Sequence, residues 1–167
     1  MERAPASARE PIRVLLADDQ PLLVQALAKI LGSQPDIDVV ATAADGHEAA
    51  MAADRFTLDV AVLGIQMPRM NGIEAAREIT RRQPGVSVVM LTTFDTDDLV
   101  RAALQEGVQG FLLKDSMPEF LIDSVHRVAR GASVLSPGAT DFVLSVFREP
   151  TETETVGRAA GGGVDGA

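Results

Sequence analysis

Five short apolar runs rich in β-branched residues recur along the chain, at Ile12–Ala17, Ile37–Ala41, Val60–Leu63, Val86–Leu91 and Gly110–Leu113. Longer stretches between and after them carry apolar residues at helical spacing: Pro21–Leu31, Gly46–Ala53, Gly72–Arg82, Asp97–Glu106 and Pro118–Arg130. Strand-like and helix-like segments thus alternate through the chain. That alternation predicts an α/β protein with a doubly wound, five-stranded parallel sheet. The central runs are apolar almost throughout, as strands covered by helices on both faces must be.

Turn and cap residues agree with this division. Pro21 and Pro118 fall where the first turn of a helix tolerates proline. Gly32, Gly107 and Gly131 fall just past helical stretches, where a left-handed residue ends a helix cheaply. Asn71-Gly72 opens the third helix. Residues 1–10 read as a flexible leader and residues 11–137 as one domain. Phe142, Val143, Val146 and Phe147 suggest an extra helix over residues 138–147. Residues 148–167 are Thr, Glu, Gly and Ala with few large apolar groups, and are expected to be linker or disordered tail.

Composition narrows the chemistry. The chain has 167 residues, 46% hydrophobic and 23% charged, which suits one globular domain with a tail. It has no cysteine, so disulfide and thiolate chemistry are excluded, and its two histidines, His47 and His126, make a histidine-rich metal site an unpromising reading. A net charge of −9 argues against direct DNA contact by this segment. No apolar run reaches the ~18 residues that span a bilayer, and the first ten residues lack the apolar core of a secretory signal. A cytoplasmic protein with no membrane contact is expected.

In open parallel sheets the working site lies beyond the carboxyl ends of the strands. The first run ends in Asp18-Asp19, the third in Gly64 followed by Ile65-Gln66-Met67-Pro68, the fourth in Thr92-Thr93 and the fifth in Lys114-Asp115. Two acids, a hydroxyl and a lysine therefore converge on one edge. Hard oxygen ligands suit Mg²⁺, while a lysine and a hydroxyl suit phosphoryl oxygens. Taken singly, each has a plainer role: the aspartates as helix caps, the threonine as structure, the lysine as a solvated charge. Their combination in this order is what is specific.

With those motifs the segment from about Ile12 to Pro137 resembles the receiver domain of bacterial response regulators. Leu91-Thr92-Thr93-Phe94-Asp95 and Gly110-Phe111-Leu112-Leu113-Lys114-Asp115 resemble the NarL/FixJ-type branch most. The resemblance implies a (βα)5, flavodoxin-like or CheY-like fold, a phosphorelay ancestry, no enzyme activity and a DNA-binding helix-turn-helix domain downstream. It implies that Asp18 and Asp19 form the acidic pair, with Asp19 the more direct metal ligand, and that Gln66 offers its backbone carbonyl to the metal. It also implies that Thr92 is the hydroxyl that follows the phosphoryl group, Lys114 its lysine partner and Phe111 the aromatic switch. The face made by the fourth helix, fifth strand and fifth helix is implied as a homodimer or partner surface.

One residue departs from the family pattern. Where the family carries its phospho-accepting aspartate, the same register here reads Gly64, which has no nucleophile. Asp59 lies five positions earlier on the same strand, ~16 Å away and on the other face, and cannot substitute. With one of three acids missing, Mg²⁺ affinity is expected to be weakened and Lys114 to neutralise one of the remaining pair, in an Asp19–Lys114 arrangement. Gly64 is then either drift in a domain that need only fold and dimerise, or the mark of another input: a small molecule filling the freed volume, a protein partner, or expression level. The favoured expectation is a phosphorylation-independent receiver of a transcription regulator whose DNA-binding part lies outside this segment. The alternative is a stand-alone receiver-like protein that competes for a kinase or a full-length regulator.

Overall fold

The computed structural model describes residues 10–93 and 97–135. The expected extra helix at 138–147, the tail at 148–167 and all but the last residue of the leader lie outside the described residues. Six parallel strands form one sheet in the order β2-β1-β3-β4-β5-β6: β1 (Ile12–Ala17), β2 (Ile37–Ala43), β3 (Val60–Gly64), β4 (Ser87–Thr92), β5 (Gly110–Leu113) and β6 (Val134–Leu135). The helices are α1 (Pro21–Gly32), α2 (Gly46–Arg55), α3 (Gly72–Arg82), α4 (Asp97–Gln105) and α5 (Pro118–Ala129). The five expected strands and five expected helices are all present, with ends displaced by at most two residues. The sixth strand was not anticipated. It is two residues long and is hung from β5 by the Val134 N–H on the Gln109 carbonyl, 2.9 Å.

The strand pleat explains how the layers form. On one face Val14, Leu16, Val60, Val62, Val89, Leu91 and Leu112 meet Val24 and Leu31 of α1 and Leu121, Val125 and Val128 of α5. Period-two alternation sends Leu15, Ala61, Leu63, Met90 and Phe111, all buried, to the opposite face. There α2 and α3 pack against each other, with α4 beside α3. The buried side of α2 is nearly all alanine, Ala49, Ala50, Ala52 and Ala53, and such small side chains allow a close approach.

Helix ends follow local chemistry. α3 begins with a capping box: Asn71 accepts from the Glu74 N–H at 2.9 Å, and Glu74 accepts from the Asn71 N–H at 2.9 Å. α2 begins at Asp45, whose side chain accepts from the Glu48 N–H at 2.8 Å. Gly107 and Gly131 have φ of +84° and +94°, the left-handed region expected of them. Gly32 differs: it is the last residue of α1, and Ser33 closes the helix in a right-handed conformation. No described helix is long and apolar enough to cross a membrane.

Candidate functional site

At the carboxyl edge the strand order reverses between β1 and β3, and Ala17 pairs with Leu63 across that step. Asp18 continues β1 and is fixed by its N–H on the Ala43 carbonyl, 3.2 Å. Its side chain is fully buried, while Asp19 beside it is exposed. Gly64, the last residue of β3, is buried, and Gln66 in the following loop is exposed. Thr92 ends β4 and is buried; the Lys114 N–H donates to the Thr92 carbonyl at 3.0 Å, which ties the end of β5 to that of β4. Phe111 lies within β5 opposite Met90, its ring 1% exposed.

Side-chain geometry singles out a subset of these residues. The Lys114 ammonium lies 3.0 Å from Asp18 Oδ2 and donates to Gln20 Oε1 at 3.2 Å. Asp18 Oδ1 in turn accepts from the Gln20 N–H at 3.0 Å. Asp18, Gln20 and Lys114 therefore form a closed triangle. This corrects the expected arrangement: Lys114 pairs with Asp18, not Asp19, because the residue that continues the strand points inward and its neighbour points out. Asp18 does not cap α1 either, since the N-cap of α1 is Gln20 and makes no side-chain cap bond. Gln20 was not anticipated. The only hint in the sequence is a polar residue held between the acidic pair and Pro21.

Gly64 completes the picture. A Cβ placed there would fall well inside 3.0 Å of Asp18 Oδ2, closer than real Cβ atoms approach another heavy atom. The space beside Gly64 is thus filled by the Asp18 carboxylate, and a ligand seated there must first displace it. Asp59 lies at the opposite edge, where its Oδ2 accepts from the Arg13 N–H at 2.8 Å at the start of β1.

A second acid at this edge was missed. Asp45, at the N-terminus of α2, is buried and takes both Nε (3.0 Å) and Nη2 (2.7 Å) of Arg69 on Oδ2. The Glu48 N–H holds its carboxyl below the ordinary value, against burial, and Arg69 reinforces the effect. Arg69 has φ of +69°, a left-handed conformation uncommon for any residue but glycine. The ion pair therefore braces the loop after β3 against the loop after β2. A capping spacing, Asp45 to Glu48, could have flagged the acid; nothing in the sequence flags Arg69.

The fold and this rim define an α/β domain of the receiver type. The chain belongs to the response regulator receiver domain family, whose profile matches residues 14–126. It is 39% identical over 146 residues to the transcriptional regulatory protein YxjL of Bacillus subtilis, covering 87% of this chain and 67% of that one. It is 32% identical over 142 residues to the nitrate/nitrite response regulator protein NarL of Escherichia coli K12, covering 85% and 66%. Among solved structures it matches a LuxR-family two-component response regulator from Aurantimonas sp. SI85-9A1, at 26% identity and TM-score 0.76 over 84% of this chain and all of that one. The chain spans about two thirds of the length of the curated relatives it matches. It is a receiver domain of the NarL type, related to two-component transcription regulators.

Receiver domains commonly bind Mg²⁺. The residues here do not suit a resident divalent ion as they stand. Asp18 Oδ1 is spent on the Gln20 N–H; Oδ2 accepts no hydrogen bond but has the Lys114 ammonium 3.0 Å away, where a second cation would meet repulsion, and Asp19 is left as the exposed acid. Among the described residues no three His, Cys, Asp or Glu side chains converge into a metal-holding group.

Proposed function

We propose that this receiver works without aspartyl phosphorylation, as the cytoplasmic input module of a transcription regulator that signals through homodimerisation or partner binding. DNA contact falls to a separate helix-turn-helix domain. The observation that carries this reading is Gly64 at the end of β3, in the register where the family pattern has its acceptor carboxylate. A side chain of hydrogen cannot attack a phosphodonor, and Asp59 is committed to the far edge. Of the two remaining acids, Asp18 is buried against Lys114, a poor nucleophile for an incoming phosphoryl group.

The net charge of −9 further supports leaving DNA to another domain. Dimerisation is assigned to the face of α4, β5 and α5 by family resemblance. Thr92 and Phe111 are retained as the hydroxyl and aromatic of the switch. The buried ring of Phe111 favours an inward setting of that switch without a phosphoryl group.

The test is intact-mass spectrometry after incubation with Mg²⁺ and acetyl phosphate. The protein is expected to gain no hydroxylamine-labile phosphate, while a Gly64→Asp variant, which regains the carboxylate, takes one up. Stoichiometric phosphate on the unaltered protein would overturn the reading.

A further inference from the structure

We infer that Asp18, Gln20 and Lys114 form an internal clasp that takes the place of a divalent cation at this rim, and that Gly64 is the residue that lets it close. The inference deepens the proposed phosphorylation-independent reading and rests on it in one respect: the glycine is treated as a working part of the site.

Three observations meet here. The Lys114 ammonium stands 3.0 Å from Asp18 Oδ2, a buried oxygen that accepts no hydrogen bond, so the positive charge beside it comes from within the chain. The other oxygen of that carboxylate is spent on the Gln20 N–H, and the Gln20 side chain accepts from Lys114 as well, so the clasp fixes both of its own partners. A Cβ at position 64 would collide with Asp18 Oδ2, so the carboxylate keeps this position only because residue 64 is glycine.

A buried carboxylate must have its charge met. A cation inside the chain meets it here, so Mg²⁺ entering the rim has to break an existing ion pair and desolvate a lysine, where an open acidic pocket offers an uncompensated charge. The clasp also joins the end of β1 to the end of β5, which keeps the switch region in one arrangement whatever the Mg²⁺ concentration.

The experiment is thermal unfolding of the full chain with and without MgCl2, at matched ionic strength. The unaltered protein should show no Mg²⁺-dependent change in Tm. Lys114→Met leaves Asp18 uncompensated, so its Tm should be lower without Mg²⁺ and should rise by about 3 °C in ~10 mM MgCl2. Asp18→Asn combined with Lys114→Met should lose that rise. Gly64→Ala, which pushes the carboxylate off the ammonium without touching either charge, should acquire a Mg²⁺ response of the same sign. It serves as the second variant if Lys114→Met fails to fold.

A Mg²⁺-dependent rise in the unaltered protein as large as that of Lys114→Met overturns the clasp, as does the absence of a response in both Lys114→Met and Gly64→Ala. Either result leaves the acetyl phosphate outcome standing on its main ground, the missing acceptor carboxylate at Gly64, so the two failures can be told apart.

Discussion

Two buried aspartates follow the adjacent strands β1 and β2 on one edge of the sheet, and they are held in opposite ways. Asp45 belongs to a brace. It caps α2 and draws Arg69 across from the loop after β3, and the neighbouring Gly46 lies against main chain. A Cβ on Gly46 would run into the carbonyl of Met70, and one on Gly72 into the carbonyl of Gly64. Asp18 belongs to a pocket, where the neighbour of Gly64 is the far end of a side chain. At Gly46 and Gly72 the obstructing atoms are main chain and cannot yield without moving a loop. At Gly64 the obstructing atom can rotate away. The brace should therefore behave as rigid scaffold and the pocket as an adjustable site.

The sharpest challenge to that contrast is Gly46→Ala. Alanine favours a helix over glycine, yet the collision with the Met70 carbonyl should dominate and cost about 3 kcal/mol or more. Chemical denaturation measures it, and a neutral result would mean that the brace yields as easily as the pocket.

Asp45→Ala comes next, at about 2 kcal/mol. Most of this is the lost cap, because the Arg69 side chain is 66% exposed and its ion pair contributes little. The native carboxyl titrates below its ordinary value of 3.8. Its contribution is therefore full above that pH and fades as pH falls through the lower native value. The gap in Tm between the unaltered protein and Asp45→Ala should hold from neutrality down to about pH 4 and narrow in stronger acid. A gap that stays constant under acid would remove the charge on Asp45 from the account of the brace.

The smallest effect is expected from Gly64→Ala. The collision there displaces one carboxylate oxygen, and the loss of the Lys114 pair is partly offset by the strand's preference for alanine over glycine. The net cost should be about 1 kcal/mol in the same denaturation experiment. A cost equal to that of Gly46→Ala would erase the distinction between the two glycines.

Much of the fold was legible because each strand is a short apolar run bounded by its own punctuation, and each helix carries its stripe. β6 was not, since two residues give no period to read. The α2 boundary slipped because Asp54 and Arg55 extend the helix beyond its apolar stripe. The candidate residues at the strand ends were legible as a set, but their partners were not. Adjacent acids such as Asp18 and Asp19 alternate in direction, and only the pairing of Asp18 with the Ala43 carbonyl decides which one faces inward. Gln20 acts through one backbone N–H and one side-chain oxygen, and no spacing rule encodes that pairing. Arg69 reaches Asp45 across 24 positions of sequence, through a left-handed turn that its residue type does not announce.

The contact between Lys114 and Gln20 links positions 94 apart in the chain. Closing so long a stretch is entropically costly until the intervening strands are already in place. The fastening between the first and fifth strands is therefore expected to be among the last to form as the domain folds. An interaction absent from the transition state retards unfolding and leaves the folding rate nearly unchanged. In kinetic terms the triangle acts as a latch set after assembly, prolonging the lifetime of the finished sheet without helping to build it.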